Sequence, residues 1–513
     1  MISGLKAREC CGTSTMNTEF TEKSNKVNSI EGFYAGTGIF ITGASGFVGK
    51  ALLEKLIRVC PRIVVIFILI RPKKHQTMEE RYKEIIDDPI FDDARAKNPS
   101  ALEKVHPVKG DLSLPKLGLS QEDRNMLIEN VNILFHVAAT LSFKEPLNTA
   151  VNTNVKGTSS IIELCNELKH VISVIHVSTA YSNANLPEIE EKVYSTSLQP
   201  SSVIEICDSL DKETIKLLEE RILKIHPNTY TYTKNLAEQI VSSNSTSFPI
   251  AIVRPSIISA SLKEPCPGWL GNITVHIALG LFISKGFAKI ALAKPDIIAD
   301  TVPLDYVVDT ILCAAWHVTL HRDMNVKVYN CTNNARPIKF GELKDKLVKY
   351  AIEIPTDSLL WYPWCALVSN RYVYSILTLF LHTLPAFIMD IFLRLQGSKP
   401  RMMKISKHYD TISIMINYFS IRQWSFKRDN VIDMIKEVKT LEDSDIVELD
   451  LQDMDWDKYI ALCVIGIKKF IFKEDPKSLD AARRRLSIFY WLHQMTKAFA
   501  IIILLTIILR VMY

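Results

Sequence analysis

No C-x-x-C pair occurs anywhere in the 513 residues, and the ten cysteines are scattered, with only Cys10 and Cys11 adjacent. That pattern points to neither a zinc site nor a disulfide framework, so no metal is expected and a reducing, cytosolic setting is. Excess charge is also scarce: 61 Lys and Arg against 56 Asp and Glu leave a formal +5. Nucleic acid is thereby disfavoured as the main partner, although a local basic patch facing a membrane or an anionic cofactor stays open. Internal repeats and low-complexity tracts are absent. The first thirty residues are polar and mixed, without an apolar run that would serve as a signal-peptide core, so the N-terminus is expected to stay in the cytosol. With 48% hydrophobic and 23% charged residues the composition is that of a globular protein with little room for disorder. The length exceeds one ordinary domain.

What is present begins with apolar runs. Gly38–Thr42 reads as a strand and Lys50–Cys60 as an amphipathic helix, and further runs recur at Ile63–Ile70, Val105–Val108, Ile133–Val137, Val171–Val177 and Ile250–Val253. Helix-length segments separate most of them, which predicts βαβ units and a Rossmann-like, doubly wound parallel sheet of the α/β class. After about Val326 aromatic residues thicken around Trp361, Tyr362 and Trp364 and helical periodicity takes over, so a domain boundary is placed there. The chain closes on an apolar segment, 498–509, between Lys497 and Arg510. It is short of the roughly 20 residues a span needs unless 486–495 joins it, so a span and an interfacial anchor both stay open, with Arg483, Arg484 and Arg485 on the cytosolic side. A second apolar stretch, Tyr372–Leu395, contains His382, Pro385, Asp390 and Arg394, and these favour a buried or membrane-surface helical pair over a span.

Between the first strand and helix lies Gly43-Ala-Ser45-Gly46-Phe47-Val48-Gly49, preceded by Thr42. In such a turn the first glycine permits the tight bend, the second lets the backbone approach a pyrophosphate, and the third lets helix and sheet pack closely. The helix N-terminus then faces the phosphate charge. The next strand ends at Arg71, followed by Lys73 and Lys74. At this position an acidic residue favours NAD and a cation accommodates the 2′-phosphate of NADP, so Arg71 argues for NADPH. Asp111 and Leu112 follow a third strand and Ala138 and Ala139 a fourth, at strand ends where cofactor sites gather, the first pair near adenine and the second lining the groove. Asn154-Val-Lys-Gly157 opens the helix that follows.

The catalytic signal is Tyr230 with Lys234. Residues four apart share a helix face, and a nearby ammonium favours the phenolate, preparing a general acid or base for a carbonyl. A preceding strand ends Ser178-Thr179, which supplies a hydroxyl for the same carbonyl oxygen, with Thr179 preferred over Ser178. Tyr181 and Tyr232 are decoys.

These motifs, Thr42–Gly49, Val177–Tyr181 and Tyr230 with Lys234, resemble the extended short-chain dehydrogenase/reductase superfamily. The segments Pro227–Lys234, Val253–Ile257, Glu264–Trp269 and Tyr329–Thr332 are similar to the eukaryotic fatty acyl-CoA reductases. The likeness runs from about Ile39 to Phe472 and takes in a helical C-terminal region like the family's "male sterility" domain. With a polar extension over 1–35 and a basic segment with a membrane anchor over 476–513 standing outside it, the likeness implies a reductase domain over 36–330 and a helical domain over 331–475. It also implies that a long-chain acyl-CoA is reduced with NADPH to a primary alcohol and free CoA, at a membrane and most naturally that of the endoplasmic reticulum, with the peroxisome as the alternative. Pro255 and Ser256 would then sit near the nicotinamide, and surplus cations, around Lys234 or at Arg401 and Lys404, could receive the anionic end of CoA. A sterol or sugar-nucleotide dehydrogenase or epimerase of the same fold is the competing expectation, and Arg71 and the C-terminal region disfavour it.

Overall fold

A computed structural model describes residues 28–72, 75–244, 247–321 and 325–512. Most of the expected N-terminal extension, and Lys73 and Lys74, therefore lie outside the described residues. Seven strands form one sheet: β1 (Gly38–Thr42), β2 (Val65–Ile70), β3 (Val105–Lys109), β4 (Ile133–His136), β5 (Ser173–Val177), β6 (Ile250–Pro255) and β7 (Lys327–Cys331). Their order is 3-2-1-4-5-6-7, every pairing parallel. The expected doubly wound sheet is thus present, with β1 and β4 flanking the point where the order reverses.

The strands are apolar on both sides because helices cover both faces. Side chains alternate with the period of two that the pleat imposes: Ile39, Ile41, Ile66, Ile68 and Phe135 enter one core, while Phe40, Phe67, Leu69, Leu134 and Ile252 enter the other. Helix α1 (Phe47–Val59) begins three residues before the expected Lys50, because the helical turn already starts at the residue after Gly46. Strand β7 escaped the apolar pattern. It is an edge strand whose Asn330 is tied by its side chain to the carbonyls of Ile189 and Lys427 (3.3 and 2.8 Å).

Two further helices place the site. In α2 (Thr229–Ser242) the side-chain oxygen of Asn228 caps the N-terminus by accepting from Thr231 N (2.9 Å). Helix α3 (Leu304–Leu320) is buried along nearly its whole length. The chain beyond β7 is mostly helical and shares the larger core with the sheet through Val431, Met434, Tyr459 and Val464. Trp456 and Tyr459 there donate to the carbonyls of Arg336 and Ala260 (2.9 and 2.7 Å). Next come α4 (Arg371–Thr378, continuing through a π turn, Leu379–Thr383, into Leu384–Leu395), α5 (Met402–Ser420) and α6 (Leu479–Met512). Among the described residues two segments, Arg371–Leu395 and Leu479–Arg510, are long and apolar enough to cross a membrane. The second is a continuous helix well beyond the short terminal run, so the upstream residues do join it.

One fully buried ion pair joins α2 to β6. Arg254 donates through Nε and Nη2 to Glu238 (2.9 and 2.7 Å), and both side chains are 0% exposed. Removing one partner of such a pair strands a charge and costs about 3–5 kcal/mol. Glu238→Ala is therefore expected to lower the thermal midpoint of the detergent-solubilised chain markedly; an unchanged midpoint would contradict this role.

Candidate active site

The carboxyl ends of β1 to β6 all open on the same edge of the sheet, and there the predicted residues gather. Gly43 has φ +80°, a left-handed conformation that favours glycine. A Cβ on it would lie 2.8 Å from Ala138 N, so the turn after β1 and the loop after β4 touch at the switch point. A Cβ on Gly49 would lie 2.2 Å from Gly43 O, which makes the last glycine a packing requirement. Ser45 and Gly46 are exposed, and Gly46, as N-cap, offers no side chain to the first N–H groups of α1. Those donors are left for an anion. Phe47 stacks on Trp269 at 5.4 Å, while Val48 is half-buried beside the core.

Arg71 and Asp111, at the ends of β2 and β3, lie 4.0 Å apart. The Arg71 side chain is 65% exposed, so the contact is loose and its guanidinium is free to turn to a ligand. Leu112 is buried in the smaller core, and a Cβ on Gly157 would meet it at 3.0 Å. Ala139 follows Ala138 half-buried in the groove loop. Pro255 ends β6, and Ser256 donates its N–H to Cys331 O (3.0 Å).

Tyr230 opens the first turn of α2, half-buried, with Phe143 stacked on its ring at 5.8 Å. Burial pushes the pKa of its phenol up to about 12, opposed by the nearby Thr179 hydroxyl, which also accepts from Tyr181 N (3.3 Å). Ser178 points elsewhere, donating to Glu238 Oε1 (2.5 Å). Lys234 is 2% exposed and donates to Val177 O (2.7 Å), with His176 Nε2 at 3.3 Å. Burial lowers its pKa to about 8, opposed by the Glu238 carboxylate. The Lys234 donor is thus directed at the end of β5 and not at the phenol. Nor is it placed to meet an anionic substrate at the surface.

Several contributors carried no assigned role in the sequence reading. His136 links Thr42 Oγ1 to Thr158 Oγ1 (2.8 and 3.0 Å), and burial drops its pKa to about 3, so it is neutral. Asn154, in a π turn (Val151–Lys156), donates to Thr233 Oγ1 and accepts from Thr140 N (3.0 and 2.9 Å). The decoys are set aside by packing: Tyr181 lies among Phe419, Trp424 and Phe426, and Tyr232 lies 5.1 Å from the His226 ring. A cavity of about 360 Å³ adjoins Tyr230, lined by Phe143, Asn228 and, from α5, Ile414, Met415 and Tyr418.

Two family models, both described as male sterility protein, match residues 41–311 and 381–474. Fatty acyl-CoA reductase 1 of Mus musculus is 37% identical over 460 residues, covering 90% of this chain and 89% of that protein. Fatty acyl-CoA reductase 2 of Homo sapiens is 35% identical over 461 residues, with the same coverage. The chain belongs to the fatty acyl-CoA reductase family. Among solved structures, the terminal reductase domain of the myxalamid biosynthetic pathway superposes with a TM-score of 0.55 at 19% identity, covering 85% of this chain and 92% of that one. A reductase domain of a Mycobacterium tuberculosis non-ribosomal peptide synthetase gives 0.55 at 16%, covering 87% and 95%. At those identities they show the fold alone. For this fatty acyl-CoA reductase family member a nicotinamide dinucleotide is the implied cofactor. The uncapped start of α1, the bare Gly46 and the close Gly43 to Ala138 approach fit one.

A buried ammonium with a depressed pKa weakens the fold while it is charged. For Lys234 that cost is full below about pH 8 and fades as pH climbs toward the ordinary 10.5 of an unfolded lysine. Melting curves of the cofactor-free chain should show Lys234→Met losing ground to wild type between those pH values. A stability difference that does not change with pH would contradict the assignment.

Proposed function

We propose that this protein reduces long-chain acyl-CoA to the primary alcohol with two equivalents of NADPH, releasing CoA, through an aldehyde. The observation that carries the reading is the Thr179–Tyr230 pair at the carboxyl edge of the sheet, with Lys234 one helical turn on, bound to the end of β5, and a cavity of mixed apolar and polar lining close by. The bound nicotinamide supplies a hydride to the carbonyl carbon in each reduction. Tyr230, protonated at neutral pH because its pKa is about 12, and Thr179 would donate hydrogen bonds to the carbonyl oxygen as negative charge develops there. In the first reduction that oxyanion collapses, the carbon–sulfur bond breaks and the CoA thiolate leaves with the electron pair, taking a proton from solvent. In the second, the alkoxide takes the Tyr230 proton, which water restores. Ser178 is committed to Glu238, and this supports Thr179 as the second donor. No cysteine nucleophile is needed: Cys60, Cys165, Cys313 and Cys331 are buried, and burial raises their pKa values.

Thr42, Gly43, Ser45, Gly46, Phe47, Val48 and Gly49 would hold the pyrophosphate, Arg71 the 2′-phosphate, Asp111 and Leu112 the adenine side, and Ala138 and Ala139 the groove. Lys234 would hold the nicotinamide ribose, and Pro255 and Ser256 the carboxamide. The exposed, loosely paired Arg71 supports NADPH over NADH. We assign α6 to the endoplasmic reticulum membrane with the site in the cytosol, a reading supported by the apolar helix and the Arg483, Arg484 and Arg485 cluster at its start. The domain limits 36–330 and 331–475 go with this reading.

Reconstituted enzyme given NADPH and acyl-CoAs of graded length should form alcohol that Tyr230→Phe and Lys234→Ala abolish. Thr179→Ala should lose about 10²- to 10³-fold in turnover, and Ser178→Ala far less. Folded wild type that binds NADPH yet yields neither aldehyde nor alcohol would overturn the reading in favour of a dehydrogenase. Arg71→Ala should raise the KM for NADPH and leave that for NADH unchanged; an equal effect on both cofactors would refute the phosphate contact.

A further inference from the structure

Helix α4 is built in two unequal faces. Tyr374, Thr378, His382, Ala386 and Asp390 recur every four residues, and all are buried against the body. Each is tied or packed: the Tyr374 hydroxyl bonds to Asp410 (3.2 Å), and His382 Nε2 accepts from Lys289 N (3.0 Å). The Asp390 carboxylate accepts from the backbone N–H groups of Arg401, Met402 and Met403 (2.8 to 2.9 Å), capping α5. A four-residue stripe drifts about 40° per step around a 3.6-residue helix. The π turn Leu379–Thr383 widens the repeat midway and takes up part of that drift. The stripe therefore holds α4 to the body along its whole length. The opposite face is apolar and open, with Ile376 61%, Phe380 58%, Phe387 53% and Leu395 78% exposed.

A patch of this size on a helix welded to the body needs a cover, and three features identify it as one leaflet of a lipid bilayer. Six cations, Arg371, Arg394, Lys399, Arg401, Lys404 and Lys407, lie along 371–408, where the only acidic residue is Asp390, committed to the cap of α5. Such an arrangement suits anionic headgroups. Just before α4, Trp361, Tyr362 and Trp364 gather around His493, with Phe489 and Tyr490 against the first two, and so join the anchor helix α6 to this part of the body. Aromatic rings of this kind prefer the headgroup level. Finally, a helix bound lengthwise to the body by hydrogen-bonded polar side chains cannot cross the bilayer without carrying α5 and its cap into hydrocarbon.

We infer that α4 lies in the plane of the cytosolic leaflet, apolar face down, as a second membrane contact beside the α6 anchor, and that α5 leads an acyl chain from that leaflet to Tyr230. Asp390 fixes the start of α5 at α4, while its later residues Ile414, Met415 and Tyr418 line the cavity beside Tyr230. From Met402 to Ile414 is about 18 Å at 1.5 Å per residue. The acyl route rests on the reduction of long-chain acyl-CoA; the position of α4 does not.

The test uses the full chain in phosphatidylcholine and phosphatidylserine vesicles, with Ile376→Cys, Phe387→Cys or Leu395→Cys carrying an environment-sensitive fluorophore and labelled wild type as background. Nitroxide lipids quench at a shallow or a deep acyl position, and iodide quenches from water. Positions 376 and 395 are about 28 Å apart along the helix, close to the roughly 30 Å hydrocarbon thickness. All three sites at one shallow depth, with iodide excluded, is the expected result. Depth graded along the helix would mean a span, quenching by iodide alone would mean an aqueous face, and protection from every quencher would mean a protein partner; each overturns the proposal. These readings need no activity, so they stand apart from the test of the reaction. For the route, the combined Phe380→Ser, Phe387→Ser and Phe392→Ser variant should raise the KM for vesicle-borne long-chain acyl-CoA by about tenfold or more and leave a short, water-soluble acyl-CoA unaffected. An equal rise for both would overturn the route.

Discussion

A single buried carboxylate sets the geometry on which the rest of the site depends. Glu238 accepts from Ser178 and Ser182 in the segment after β5 and from Arg254 in β6, while itself belonging to α2 (2.5, 3.0 and 2.7 to 2.9 Å). Arg254 extends the tie to the carbonyls of Glu190 and Lys192 (3.1 and 2.7 Å). Three elements are thereby held in one register, and two consequences follow. Ser178 is turned inward, which leaves Thr179 to face Tyr230, and α2 is seated so that Lys234 enters beneath the strand ends. A buried carboxylate with four satisfied contacts is costly to desolvate, yet its directionality fixes orientation in a way apolar packing does not.

The electrostatics of the site are set by burial. The phenol is held protonated by burial, and burial also brings the Lys234 ammonium nearer to losing its proton than an ordinary lysine. His136 and His176, whose rings lie 5.1 Å apart, are kept neutral by burial and by the adjacent lysine. A cofactor whose hydroxyls accept from Lys234 would favour its charged form, and a charged Lys234 would then stabilise the Tyr230 phenolate. Binding and proton release would in this way be coupled through one side chain.

Much of this was legible in the residues. The glycine turn, the apolar strands and the Tyr230 to Lys234 spacing are local patterns, and local patterns survive reading without coordinates. Strand β7 did not, because an edge strand with buried Asn330 breaks the apolar rule through side-chain contacts with segments far away in sequence. The Glu238 network was hidden for the same reason: its members stand 16 to 60 residues apart. The mixed polar and apolar character of 371–395 was readable, and it pointed to a surface or buried helix. Only the structure shows that His382 and Asp390 share one stripe with Tyr374 and Ala386, leaving the opposite face apolar and open.

The proposed reaction delivers hydride to an acyl carbonyl carbon held at Tyr230 and Thr179. Its most direct test is isotopic: the full chain in vesicles, a long-chain acyl-CoA, and NADPH carrying deuterium on the nicotinamide carbon that transfers hydride. The account predicts primary alcohol with two deuterium atoms on C1, and free CoA in equal amount. Alcohol without deuterium, or CoA release with no reduced product, would contradict it.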